Sequence, residues 1–156
     1  MATCFDAAKY ILKLQAKIHN EETITTWKLQ KLAYYSQAWA TVWDEEPIFG
    51  NVIEAWANGP VIRVLYNKHR GKFKISLGDI SNGKIGNIIS KHKDTIEAIV
   101  EAYGNKTSQY LSELTHKEPP WIDARKGLAM GERGNSVITL NSMAEYYGGL
   151  FDDEAI

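Results

Sequence analysis

The stretch TWKLQKLAYYSQAWATVW, residues 26–43, decides the fold of this chain. Its apolar and small residues fall on two adjoining stripes at helical spacing, one made of Leu29, Leu32, Ala33, Ser36, Ala40 and Trp43 and the other of Tyr35, Trp39 and Val42. A helix that is apolar around most of its circumference is usually buried in the middle of a bundle. The stretch therefore predicts a central helix against which the other elements pack.

One polar line interrupts this helix. It consists of Gln30, Tyr34, Gln37 and Thr41, which follow one another at intervals of three or four residues. Side chains at that spacing share one face of a helix. Either this face meets solvent, or its polar groups make buried hydrogen bonds. Both interpretations are open from the sequence, and a solvated edge is the simpler one.

Most of the remaining chain carries helix signals. Thr3 with Asp6 predicts the start of a helix over residues 3–18, and Gly59 with Pro60 predicts a second start, with Pro60 in the first turn of a helix that runs to about His69. Later helix starts are predicted at Asp94, Thr107, Pro119 and Ser142. Residues 72–77 and 136–140 alternate with period two, and we expect two short strands that pair antiparallel. The expected fold is mainly α: a compact single-domain helical bundle with a small antiparallel β element.

Length and composition are those of one soluble domain. Of 156 residues, 44% are apolar and 24% charged, close to the average for globular proteins. The longest uncharged stretches, such as residues 55–62, fall far short of the roughly 20 residues that a membrane-spanning helix needs. The N-terminus lacks the pattern of a signal peptide, and a single cysteine, Cys4, excludes an internal disulfide. We expect a cytoplasmic protein with a domain at 1–151 and a short acidic tail at 152–156.

No catalytic, metal or cofactor site is predicted. The four histidines are far apart in the sequence, and none stands four residues from another ligand type. Cys4 lies near the chain end, where we expect neither a core residue nor a nucleophile. The glycine-rich segment 127–136 lacks the lysine and hydroxyl residue that end a phosphate-binding loop. It is expected to be a mobile surface loop.

Charge is distributed unevenly along the chain. Residues 55–93 hold eight basic residues and one acidic residue, a net +7, while the rest of the chain carries −8. Five of these basic residues lie within residues 63–74, with Tyr66 and Phe73 between them. Such a segment could bind nucleic acid through phosphate contacts, or it could be a solvated face. The overall pI of about 6.4 favours the solvated face, because dedicated nucleic-acid binders are usually basic.

Several segments together resemble the Panacea domain of SocA-like antitoxins, which is also met in phage-associated proteins. They are residues 6–12 (DAAKYIL), 23–39 (TITTWKLQKLAYYSQAW), 47–49 (PIF), 53–66 (IEAWANGPVIRVLY) and 120–125 (PWIDAR), in the order of the family. The departures are modest: Ala33 stands where a leucine is common, and Ile62-Arg63 replaces the usual Val-Pro pair.

The resemblance implies an antitoxin that neutralises a cognate toxin by direct protein–protein contact, without a cofactor. The toxin would be encoded by a neighbouring gene, on a chromosome, plasmid or prophage. Members of the family are paired with unrelated toxins, so the domain does not name its target. Two other functions remain open: an adaptor that delivers a bound protein to a cytoplasmic protease, and a nucleic-acid-binding module that uses residues 63–74.

The motif residues divide into two groups. We interpret Leu29, Leu32, Tyr35, Ala55, Gly59, Pro60 and Val61 as folding determinants. The candidate partner contacts are motif residues with polar or amphipathic side chains, which could line a groove: Gln30, Lys31, Tyr34, Gln37, Glu54, Trp56, Arg63, Tyr66, Trp121 and Arg125. For Gln30 and Arg125, hydrogen bonds that tie helix ends together are an equally good interpretation.

Overall fold

Helix α2 (Thr26–Trp43) lies at the centre of the protein. A computed structural model describes residues 1–155, and 14 of the 18 residues of α2 are buried in it. The helix packs against α1 (Cys4–His19), α4 (Ser90–Tyr103), α5 (Ser108–His116) and α7 (Leu140–Ala155). The prediction of a central, buried helix over residues 26–43 is confirmed.

The other elements are short. Helices α3 (Arg63–His69) and α6 (Pro119–Ala124) complete the helices of residues 1–155. The strands are β1 (Thr23–Thr25), β2 (Ile53–Trp56), β3 (Gly59–Val61), β4 (Lys74–Ser76) and β5 (Val137–Ile138). Seven α-helices and five strands of two to four residues confirm the prediction of a mainly α fold with a small antiparallel β element. None of the helices in the described part of the chain is long and apolar enough to cross a membrane.

The first helix begins as predicted, with Thr3 as its cap. The Thr3 hydroxyl accepts from the backbone N–H of Asp6 at 3.3 Å, and the Asp6 carboxylate accepts from the N–H of Thr3 at 2.8 Å. The expectation that Cys4 is not a core residue is wrong, because its side chain is fully buried. Burial raises the pKa of the Cys4 thiol to about 12, so the residue serves as a small core side chain.

Both predicted strands exist, but they do not pair with each other. Strand β4 pairs antiparallel with β1, where Ile24 faces Ile75, and β5 pairs antiparallel with β2. The second sheet has the order β3-β2-β5. Alternation along a segment sets which side chains point inward, whereas the choice of partner strand depends on how the helices bring distant segments together.

The prediction that Pro60 opens a helix is wrong. Gly59 and Pro60 belong to β3, an edge strand, and α3 begins only at Arg63 with Ile62 as its cap. Proline is tolerated on an edge strand because its missing N–H is not needed there. Gly59 has a φ of +123°, and a Cβ at this position would lie 2.6 Å from Cε of Lys31. Close packing under the turn therefore requires glycine.

Two other predicted helix starts lie a few residues too late. Helix α4 begins at Ser90 and not at Asp94, and α7 begins at Leu140. The helix is capped by Thr139 and not by Ser142: the Thr139 hydroxyl accepts from the backbone N–H of Ser142 at 3.0 Å. The starts at Thr107 and Pro119 are confirmed. The division at residue 151 stays a prediction: α7 continues through Ala155, and Ile156 lies outside the described residues.

The polar line of α2 is buried at Gln30, Tyr34 and Gln37 and half-buried at Thr41, which decides in favour of buried hydrogen bonds. The Gln37 amide accepts from the N–H groups of Ile48 and Phe49 and donates to the Phe49 carbonyl, at 2.8, 3.3 and 2.7 Å. Gln30 does the same two turns earlier: it accepts from the N–H of Ile62 at 2.8 Å and donates to its carbonyl at 3.2 Å. Each glutamine thus satisfies backbone groups of a buried segment that lacks regular structure of its own.

We expect Gln37→Leu to destabilise the protein by about 3 kcal/mol, because it leaves three buried backbone groups without partners. The measurement is the free energy of unfolding in urea. Gln109→Leu is the matched control, since Gln109 is exposed and its amide donates to the exposed Glu113 carboxylate. Equal stability of the two variants would contradict the structural role of Gln37.

Candidate partner-binding surface

An open pocket of about 600 Å³ lies where α3, the turn between β2 and β3, and the loop before β5 meet. We call it the arginine pocket. Its lining residues are Trp56, Ala57, Asn58, Arg63, Tyr66, Asn67, Arg70, Arg133, Gly134 and Asn135. Three of the sequence-predicted residues, Trp56, Arg63 and Tyr66, are therefore brought together here.

Glu54 holds Arg63 in place at one wall of the pocket. The Arg63 guanidinium donates to the Glu54 carboxylate from Nε at 3.0 Å and from Nη2 at 2.8 Å, and Trp56 Nε1 donates to the same carboxylate at 2.8 Å. Burial alone would raise the pKa of Glu54, but the hydrogen bonds from Arg63 and Trp56 hold it below its ordinary value. The Arg63 guanidinium also lies 5.3 Å from the Trp56 ring centre, so its orientation is restrained from two sides.

The aromatic rings of this wall are already packed against other groups. Tyr66 meets the Trp56 ring edge-to-face at a centroid distance of 4.9 Å, and it also contacts Trp27 and His69 at 6.1 and 5.5 Å. The Arg63 guanidinium lies over the Trp56 ring in a cation–π contact. These contacts restrain the Trp56 and Tyr66 rings, which form a rigid wall of the arginine pocket.

Two arginines of the pocket have no acidic partner among the side chains of residues 1–153. Arg70 follows the last turn of α3, Arg133 lies in the loop before β5, and both are exposed. Among residues 1–153, whose side chains the structure describes, neither forms an ion pair or a side-chain hydrogen bond. Because Glu54 is balanced by Arg63, these two guanidinium groups leave the pocket with a net positive charge.

Arg125 organises the loop that carries Arg133. Its buried guanidinium donates from Nη1 to the carbonyl of Ala55 at 3.0 Å and from Nη2 to the carbonyls of Ala129, Met130 and Glu132. Four carbonyls of two separate segments thus share one cation. The expectation that segment 127–136 is a loop is confirmed, and in the structure it is tied to β2 by this side chain.

Trp121 supports the part of the pocket wall that is formed by Trp56. Its Nε1 donates to the carbonyl of Trp56 at 2.8 Å, its ring stacks on His116 at 4.1 Å, and the Arg125 guanidinium lies 5.1 Å from its centre. Burial lowers the pKa of His116, and the positive charges of Lys31 and Arg125 act in the same direction.

Tyr34 is part of a buried hydrogen-bond network that joins α2 to α7. The hydroxyls of Tyr35 and Tyr147 both donate to Glu118 Oε1, at 2.6 and 2.8 Å. The hydroxyl oxygens of Tyr34 and Tyr147 lie 3.0 Å apart. Because the Tyr147 hydroxyl already donates its proton to Glu118, Tyr34 is the donor in this hydrogen bond. Burial raises the pKa of Glu118 above its ordinary value, although the hydrogen bonds from Tyr35 and Tyr147 act in the opposite direction.

Lys31 is the most unusual of the predicted residues. Its side chain is 1% exposed, yet its ammonium has no carboxylate partner among the described side chains: it donates to the carbonyl of Pro60 at 3.2 Å and lies 5.3 Å from the Trp27 ring centre. Burial lowers the pKa of Lys31 to about 7.

The ten predicted contact residues therefore form two layers. Trp56, Arg63 and Tyr66 line the pocket, with Glu54 directly behind them. Six others are buried and bond to this chain's own groups: Gln30, Lys31, Tyr34, Gln37, Trp121 and Arg125. For Gln30 and Arg125 this is the structural interpretation that the sequence left open. A direct contact of any of the ten with a partner stays a prediction.

The pocket also contains residues that sequence reasoning missed as site residues. Arg70 belongs to the basic segment but not to the recognised motifs, and no feature of the sequence marks Arg133 as its neighbour, since 63 positions separate them. The uneven charge is partly neutralised in three dimensions. Arg63, Lys72 and Lys91 of the basic stretch pair with Glu54, Asp79 and Glu46. Within residues 1–155, no group of three or more histidine, cysteine or acidic side chains is arranged to hold a metal ion.

We expect the free energy of unfolding to rise with pH between about 7 and 10 because of Lys31. The unfolded chain keeps the Lys31 proton throughout this range, whereas the folded chain releases it near pH 7, so the contribution reaches about 1.4 kcal/mol per pH unit. Lys31→Met removes this pH-dependent contribution, so the stability of the variant relative to wild type is highest below pH 7 and falls towards pH 10. The exposed Lys117→Met is the control; identical pH profiles for Lys31→Met and wild type would contradict the burial effect.

Loss of Arg125 should loosen segment 127–136. Arg125→Met leaves four carbonyls without their donor, and we expect a loss of about 3 kcal/mol in the free energy of unfolding and faster tryptic cleavage after Arg133. We expect the stability and the cleavage rate of Arg125→Lys to lie between those of wild type and Arg125→Met. An ammonium lacks the planar fork of donors with which the guanidinium reaches carbonyls on both segments. Cleavage after Arg133 at the wild-type rate in Arg125→Met would show that this side chain does not hold the loop.

Comparison with known protein families gives a match over much of the chain. The family described as antitoxin SocA-like, Panacea domain, matches residues 29–122, which include most of α2, the β2–β3 hairpin, α3 and Trp121. No curated protein and no solved structure matches the chain. The matched segment carries the scaffold of the arginine pocket, although Arg125 and Arg133 lie beyond it. Since it spans more than half of the 156 residues, the chain belongs to the family of SocA-like antitoxins with a Panacea domain.

Proposed function

We propose that this protein is an antitoxin that neutralises a cognate toxin by direct protein–protein binding, in the cytoplasm and without catalysis of its own. The observation that carries the proposal is the family match over residues 29–122. The resemblance further supports a toxin encoded by a neighbouring gene, on a chromosome, plasmid or prophage.

The arginine pocket is the surface we propose for this contact. It is open, its wall is held by ion pairs and ring packing, and it presents Trp56, Arg63 and Tyr66 on a scaffold of buried motif residues. Arg63 is also one of the positions where this chain departs from the usual family pattern. A surface that varies on a constant scaffold suits a family whose members bind different toxins.

The geometry favours a protein partner over nucleic acid. Of the basic residues in 63–74, Arg63 is tied to Glu54 and Lys72 to Asp79, and Lys74 lines a separate depression beside β1. A protein that follows a nucleic-acid backbone needs a continuous positive groove. The basic segment is instead divided between different surfaces.

The test is co-expression with the product of the adjacent gene. We expect growth to be rescued and a stable complex of the two chains to be isolated by affinity purification and size-exclusion chromatography. The half-life of the partner should not shorten in the presence of this chain, because masking does not consume the toxin.

Two outcomes would count against the proposal. If no neighbouring product is toxic or binds this chain, the antitoxin function fails. If the partner binds but disappears several times faster when this chain is present, the protein is a proteolytic adaptor.

A further inference from the structure

The arginine pocket has an excess of positive charge that the chain itself does not use. Arg70 and Arg133 lie on two segments that are distant in sequence, yet they line the same cavity and have no acidic partner among residues 1–153. Exposed like charges that share a concave surface repel each other, and an opposite charge placed between them is correspondingly favoured.

The surroundings of the two arginines are held in place before any partner binds. Arg70 follows α3, whose first residue Arg63 is fixed by Glu54, and the backbone N–H of Arg70 itself bonds to Tyr66 at 2.8 Å. On the other side, Arg125 fastens the loop that carries Arg133. A prearranged site loses less conformational entropy on binding than a mobile one does.

We propose that the arginine pocket binds an acidic segment of the protein partner, with the guanidinium groups of Arg70 and Arg133 each receiving a carboxylate. This inference rests on the proposed function, because it names the chemistry of the surface that the toxin presents. A guanidinium offers two parallel N–H donors whose spacing matches the oxygens of a carboxylate. The asparagines at the rim, Asn58, Asn67 and Asn135, offer both donors and acceptors to a peptide backbone.

The aromatic residues explain why we choose a peptide over a single-stranded nucleic acid. Binding of single strands depends on bases that stack on free aromatic rings. Here the Arg63 guanidinium lies over the Trp56 ring, Trp56 and Tyr66 meet edge-to-face, and the half-buried Tyr66 also contacts Trp27 and His69. The rings are engaged with each other, so charge is what the pocket offers to a ligand.

The experiment compares two double variants that remove the same charge. Arg70→Gln with Arg133→Gln changes the pocket, and Lys68→Gln with Lys117→Gln changes exposed residues outside it. Affinity for the adjacent gene's product is measured by calorimetry at several salt concentrations. We expect the pocket variant to bind at least about tenfold more weakly, with a flatter salt dependence, and the control to change by less than about threefold. Both variants should keep the wild-type circular dichroism and melting temperature.

Failure of the inference can be distinguished from failure of the proposed function. If the toxin binds both double variants as it binds wild type, the antitoxin function stands and the acidic-segment inference is overturned. Equal weakening by both variants would also overturn it, since the effect would then come from net charge.

A second assay applies if no neighbouring product binds at all. A hexaglutamate peptide and a ten-nucleotide single strand are titrated against wild type and the pocket variant. Binding of the peptide that is lost in the pocket variant supports the inference. Binding of the oligonucleotide alone, binding of neither probe, or self-association of wild type that the pocket variant abolishes would each overturn it.

Discussion

The structure depends on the way in which α2 satisfies backbone groups through its own buried side chains. Gln37 pairs with the backbone of Phe49, Gln30 pairs with that of Ile62, and the Lys31 ammonium donates to the carbonyl of Pro60. Phe49 and Ile62 lie in segments that enter and leave the small sheet β3-β2-β5 and have little regular structure of their own, whereas Pro60 lies in β3. A buried peptide group without a partner costs more free energy than one hydrogen bond gains, so the path of the chain from residue 47 to residue 62 depends on this one helix.

The arginine pocket follows from that arrangement. Since α2 holds both ends of the β2–β3 hairpin, Trp56 and Arg63 are presented at fixed positions, and Glu54 needs only to orient one guanidinium. Arg125 plays the corresponding part on the other side, where its guanidinium joins β2 to the loop that carries Arg133. Largely buried residues thus set the positions of the exposed groups that line the pocket.

Lys31 shows that close packing at the centre of this scaffold disfavours a charged side chain. Its ammonium lies under the β2–β3 turn at a point where even a Cβ on Gly59 would collide with its side chain. The site has a single carbonyl acceptor and an aromatic ring but no described carboxylate, so the charged form is poorly solvated and the pKa falls to about 7. Protonation of Lys31 therefore opposes folding near neutral pH, and the hydrogen bond to Pro60 offsets only part of that cost.

The sequence by itself determined the central helix, the helix starts at Thr3, Thr107 and Pro119, the mainly α class and the family, because helical periodicity, capping side chains and short motifs act over a few neighbouring residues. It also included Trp56, Arg63 and Tyr66 among ten candidate contact residues, but only the structure showed that these three line one pocket. Only the tertiary structure decided that Pro60 belongs to a strand, that β4 and β5 have different partners, and that Gln30 and Gln37 are buried. It alone placed Arg133 beside Arg70. Pairing of strands, burial of a polar face and the meeting of distant loops depend on contacts across the whole core, and no local pattern in the chain encodes them.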